Sequence, residues 1–184
     1  RTYSVQQYMV LDMATRRNLE LTETLRDKSR RGSLLWVLDH TQTAMGARRL
    51  RRWLEQPLIQ KEAIEERQAG VAILVSDPIA SNDLKDLLSH IYDMERLMGK
   101  ISYGSANARD LVSLKNSLQA LPHVKRMLSD LPAPVFRRME EELDTVEDIS
   151  SLLEAAIADE PPISLREGGL IKSGYHEQID RYRS

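Results

Sequence analysis

The chain has 184 residues, 41% apolar and 29% charged, with no run of apolar residues approaching a membrane span and no secretory leader pattern, which excludes membrane-spanning and disordered classes and leaves room for one sizeable core. It has no cysteine, so disulfides and thiolate zinc sites are excluded, as expected for an intracellular protein. The net charge of −2 is unlike that of a dedicated nucleic-acid binder, but residues 1–60 carry +5 and the remainder −7, which directs any nucleic-acid contact to the first third.

Near the N-terminus QQYMVLD (6–12) reads as a short strand running into Asp12, whose carboxylate is placed to cap a short helix through ATRRNLE. DKSRRGS (27–33) reads as a loop, so residues 1–32 form a strand, a helix and a loop. From Ser33 to 158 nearly everything carries helical periodicity. Ser33 caps LLWVLD, and a second helix follows through AMGARRLRRWLEQ, where Met45, Leu50, Trp53 and Leu54 share a buried stripe until Pro57 ends it. Ile64, Arg67, Val71 and Leu74 or Val75 repeat at helical spacing until Asp77 and Pro78, and the pattern continues from Leu84 to Ile101. In that stretch Met94 and Met98 read as core filler. Asn107 caps a helix whose stripe of Leu111, Leu114, Leu118 and Leu121 is expected to stop at Pro122, with Val124, Met127 and Leu128 packing a turn beyond.

Phe136, Met139, Leu143, Val146, Leu153 and Ile157 give one last amphipathic run; its roughly two dozen residues would span about 35 Å at about 1.5 Å per residue. DEPPISLREGGLIKSG (159–174) reads as an extended crossing with one short strand, after which Tyr175, Ile179 and Tyr182 open a new helix at 175–184. The predicted fold is therefore mainly α: an irregular helical bundle in a single domain, 1–184, with one or two short β-strands near the N-terminus and before the C-terminal helix. The start at Arg1 and the end in a polar stretch at Ser184 suggest a segment of a longer protein.

Chemistry-bearing residues are sparse. GGLIKSGY (168–175) has two glycines separated by a lysine-bearing stretch, but a phosphate loop needs its lysine directly after the second glycine, where Tyr175 and His176 stand. It reads as a glycine turn. Asp86 and His90 lie one helical turn apart without a third metal ligand nearby and read as a surface ion pair. Glu140, Glu141, Glu142, Asp144, Glu147 and Asp148 spread around an exposed arc. No catalytic, cofactor-binding or metal constellation is expected. Arg48, Arg49, Arg51 and Arg52 are the sharpest candidates, as weak contacts to DNA phosphates from one helix; the competing reading pairs them with the acidic later helices.

LDMATRRNLELT (11–22), SLLWVLDHTQTAMGARRLRRWLEQPL (33–58), DMERLMGKIS (93–102) and EPPISLREGGLIKSGYHEQID (160–180) together resemble, in this order, the MutS family of DNA mismatch-repair ATPases. The resemblance covers essentially the whole chain. It implies a core or lever segment, running from a first short strand to the start of a long helix that rises toward a DNA clamp. The crossing matches the family's GG-x-I-x-x-GY. It further implies a cytoplasmic, homodimeric parent that binds mismatched duplex DNA and uses ATP with magnesium through other domains, and no membrane association. The family's Phe-x-Glu wedge and Walker motif are absent: the lone Phe136 is followed by Arg137 and Arg138. No catalytic or mismatch-contacting residue therefore carries over, and the fragment itself is expected to be no enzyme. Because the family's lever is completed by a returning helix, an uncovered apolar strip is expected near Ile179 and Tyr182.

Overall fold

A computed structural model describes residues 7–183. Two compact units result: one holds the chain through Lys85 together with Leu131–Arg138, the other Asp86–Asp130 together with the chain from Met139 onward.

In the first unit, α1 (Met13–Asn18) starts where the Asp12 carboxylate accepts a 2.6 Å hydrogen bond from the Thr15 N–H. Helix α2 (Leu34–Leu38) is capped by Ser33, which is fully buried; its hydroxyl donates to the Arg30 carbonyl (2.7 Å) and accepts from the Trp36 N–H (3.2 Å). Both caps answer orphan N–H groups of a first turn. Thr43 does the same for α3 (Ala44–Glu55), which packs on α2. The predicted stripe on α3 is only half-buried at Met45, Leu50 and Leu54, and Trp53 remains 36% exposed. After Pro57 come α4 (Lys61–Ser76) and α5 (Pro78–Ser89); Asp77 caps α5 through the Ala80 N–H at 3.0 Å, with Pro78 at the first helical position, where a missing N–H costs nothing.

Helix α4 meets the start of α8 (Pro134–Glu142) at Gly70, which is buried. A Cβ there would stand 2.7 Å from Val135 Cγ1 and 3.5 Å from Phe136 Cζ, so the glycine is what permits this approach. Gly70→Ala gains about 1 kcal/mol of helix propensity but overpacks the contact at a cost of about 1–3 kcal/mol. A net loss of up to about 2 kcal/mol, read from urea unfolding, is expected.

The second unit is built on α7 (Ala108–Asp130), the longest helix described, packed between α6 (Met94–Ser102) and α9 (Glu147–Ala156). Asn107 and Asp110 form a reciprocal cap: each side chain accepts from the other's backbone N–H, at 2.9 and 3.0 Å. Leu114, Leu118, Leu121, Val124 and Leu128 of α7 are buried, with Leu97, Leu153 and Ile157 from its neighbours. Ser117, fully buried, fastens the loop before α6 to this rod by accepting from the Tyr92 N–H at 2.9 Å while donating to the Ser113 carbonyl. The final helix, α10, is Glu177–Arg183.

Four expectations are corrected. Pro122 does not stop α7, which runs through it to Asp130. The run from Leu84 to Ile101 is broken at 90–93, with Asp93 capping α6 through the Arg96 N–H. The run from 136 to 157 is broken at 143–146, between α8 and α9, where Val146 adopts the left-handed conformation (φ 47°, ψ 48°). Finally, the predicted short β-strands do not form among the described residues. What forms are isolated antiparallel bridges, Tyr8 with Leu58 and Ile157 with Ile171. Around Tyr8 the pairing rests on Met9 N–H to Pro57 O (2.8 Å) and Ile59 N–H to Gln7 O (3.4 Å), and Pro57, with no N–H to give the Met9 carbonyl, keeps the ladder from continuing. At Ile157 it is confined between the end of α9 and the turn at Gly168 and Gly169, both at positive φ (72° and 70°).

Candidate functional site

Within the second unit, the extended crossing is held against α7 and the end of α9 by ions. Lys115, on α7, is 5% exposed, and a buried ammonium needs partners. Its Nζ lies 2.9 Å from Glu154 on α9 and 3.1 Å from Asp159 just beyond it. Lys172, across the Ile157–Ile171 bridge, reaches the same two carboxylates at 3.0 and 3.2 Å, and Gln119 Nε2 donates to Glu154 at 3.1 Å. Two lysines and two carboxylates thus tie α7, the end of α9 and the crossing into one network. Hydrogen bonds from Lys115 and then Lys172 bring the Glu154 carboxyl down to about 2 and hold Asp159 below its ordinary value. Burial works against the charge of Lys115, but Glu154 and Asp159 outweigh it and raise its pKa; the same carboxylates raise Lys172.

The signs set a pH window. Glu154 is depressed from 4.5 to about 2, so its contribution is complete above pH 4.5 and lost as pH falls toward 2. Both lysines are raised above 10.5, so theirs is present below that pH and fades only as pH rises through the raised values. Acid titration followed by circular dichroism should show a steep loss of stability below pH 4.5 that flattens in Glu154→Gln.

Lys172 and Ser173 belong to the glycine turn weighed above as a phosphate loop. With Lys172 committed to two carboxylates, the loop does not fit a nucleotide phosphate. His90 does not pair with the Asp86 carboxylate as expected; its Nδ1 lies 2.8 Å from the Asp86 backbone carbonyl. Among the described residues, no group of three or more His, Cys, Asp or Glu is gathered for a metal. No helix there is long and apolar enough to cross a membrane.

Beside the network, the second unit carries an apolar groove of about 630 Å³ between α6, α7 and α9. Met94, Met98, Ile101, Leu111, Leu118, Leu143, Val146 and Ile149 line much of it. Met98 is 50% exposed and Ile149 39%, so the methionine stripe lines an open surface instead of filling a closed core. The strip expected around α10 is bare at Tyr182, 90% exposed, whereas Ile179 is half-buried.

The four candidate arginines all lie exposed on α3. Arg51 pairs with Glu55 one turn on (2.9 Å), and Arg49 lies over the Trp53 ring, 5.9 Å from its centroid. Lys115 and the Arg67–Trp53 stack (3.8 Å) escaped sequence reasoning. Lys115 sits inside a leucine stripe with partners 39 and 44 residues away, so only its position on a buried face signals it.

A long central rod, an ion network fastening a crossing to it and an open apolar groove define a helical module. The family described as MutS domain III matches residues 14–183. Proteins described as DNA mismatch repair protein MutS match nearly the whole chain. The one from Lachnoclostridium phytofermentans is 50% identical over 181 residues, 98% of this chain and 19% of that protein. That from Clostridium tetani is 51% identical over 183 residues, 100% and 21% respectively. That from Symbiobacterium thermophilum is 53% identical over 176 residues, 96% and 20%. The chain thus spans about a fifth of the length of these relatives, and it belongs to the MutS domain III family.

Proposed function

We propose that this chain is the core and lever segment of a mismatch-repair protein, transmitting conformational change between an ATPase region and a DNA-clamp region that lie outside it. The observation that carries the reading is the ion network: Lys115 on the 23-residue α7 joins α9 and the crossing that leads to α10, so a displacement of one is felt by the others. Its similarity to mismatch-repair proteins about five times longer supports the same reading. In it, the parent binds mismatched duplex DNA and ATP with magnesium, works as a homodimer in the cytoplasm, and covers the apolar groove with another of its own segments. The chain supplies stiffness and no chemical step.

Coupling is a free energy between two sites, so it is tested as one. In the full-length protein, Lys115→Met is expected to leave ATP hydrolysis and mismatch affinity near their starting values when each is measured alone. The ATP-dependent change in DNA affinity should shrink by about fivefold. Unchanged coupling, or ATP hydrolysis by the isolated chain that survives purification, defeats the reading.

The exposure of Arg48, Arg49, Arg51 and Arg52 on one helix favours a second reading, a nucleic-acid-binding module. It requires duplex affinity that falls steeply with salt and a shallower slope in Arg51→Ala.

A further inference from the structure

Within the first unit, two guanidinium groups stack on one indole and a third lies within electrostatic reach. Arg67 of α4 lies over the Trp53 ring with its Cζ 3.8 Å from the centroid, Arg49 of α3 is 5.9 Å from the same centroid, and the charge of Arg138 reaches Arg67. Glu66 is the carboxylate nearest to hand, and Arg138 already holds it at 2.8 Å. Among the described residues neither Arg49 nor Arg67 has an ion-pair partner. Burial and then the neighbouring Arg49 both press the Arg67 guanidinium below its ordinary value. Three cations sharing one anion leave a place for another, and the indole fixes one guanidinium so that its fork of donors is already oriented.

We infer that Arg49, Trp53 and Arg67 form a carboxylate-binding site for an acidic segment of a protein partner. A carboxylate offers two oxygens to the guanidinium fork, and such bidentate pairs are among the stronger hydrogen bonds. The surroundings select protein over nucleic acid. Tyr8, a neighbour of Arg67, bridges to Leu58, and beside that bridge Met9 and Ile59 stand 48% and 49% exposed. α3 carries four arginines and a tryptophan but no lysine. Exposed apolar side chains around an Arg–Trp pair are the composition of protein hot spots, where lysine is depleted.

The test uses the full-length protein and a short fluorescent peptide of glutamates interrupted by leucines, followed by anisotropy. Arg49→Gln and Arg67→Lys are expected to weaken binding about tenfold, because each removes a charge-assisted pair or its fork geometry. Arg31→Gln removes the same charge from an exposed position elsewhere in the unit and should stay within about twofold. Arg49 is exposed, so its variant reports binding and not folding. An equal loss in Arg31→Gln, a DNA duplex that binds more tightly and displaces the peptide through the same arginines, or no peptide binding at all overturns the inference.

Discussion

Phe136→Ala is expected to lower the stability of the chain by about 3–5 kcal/mol, the range for deleting a buried aromatic ring. Phe136 is 5% exposed, and with Val135 it forms the surface against which α4 is pressed at Gly70. The backbone of α4 already stands as close as Val135 allows, so it cannot move in to fill the hole. Urea unfolding measures the loss. A pairing with Gly70→Ala sharpens the result: the added methyl would stand 2.7 Å from Val135 Cγ1 and 3.5 Å from Phe136 Cζ, so the missing ring gives Val135 room to turn away and the double variant should be less unstable than the two losses added. Strict additivity would mean that the two residues do not share this contact.

Pro122→Ala should act in the opposite direction. Inside α7 the proline has no N–H to give the Leu118 carbonyl and crowds that turn, at a cost of about 3 kcal/mol in a helix interior. Its replacement also frees the unfolded chain, which returns up to about 1 kcal/mol to the unfolded side. A gain of about 2 kcal/mol is expected, seen as a higher urea midpoint with an unchanged slope. A lower midpoint would show that the proline ring is required for the packing of Leu118 and Leu121.

Pro122 also marks where sequence reasoning stops. Caps at Asp12, Ser33 and Asn107 were legible because acceptor and donor lie within three residues, and the structure forms each of them. The helix-breaking tendency of Pro122 was equally legible, yet burial of Leu114, Leu118, Leu121, Val124 and Leu128 along one face outweighs it. The reverse happened at 143–146, where an unbroken apolar period hides a turn, because periodicity records which face is buried and not whether the chain bends. Strand propensity at 6–12 was real but local; a strand also needs a neighbour free to donate and accept, and Pro57 is not one. Of the functional features, the arginine helix could be read directly. The Lys115 network and the Arg67–Trp53 stack join residues 39, 44 and 14 positions apart, and nothing in a single chain's spelling announces such pairings.

Val146 has a mechanical consequence. A β-branched residue in the left-handed region is held there against a local penalty of about 1–2 kcal/mol. The Asp144 carboxylate, accepting from the Val146 N–H at 3.0 Å, and Lys125, donating to the Leu143 carbonyl at 2.8 Å, act as its two clasps. The elbow between α8 and α9 is therefore a held joint: letting Val146 relax to an ordinary conformation would relieve the penalty only by giving up the two contacts that fix Asp144 and Leu143 beside it.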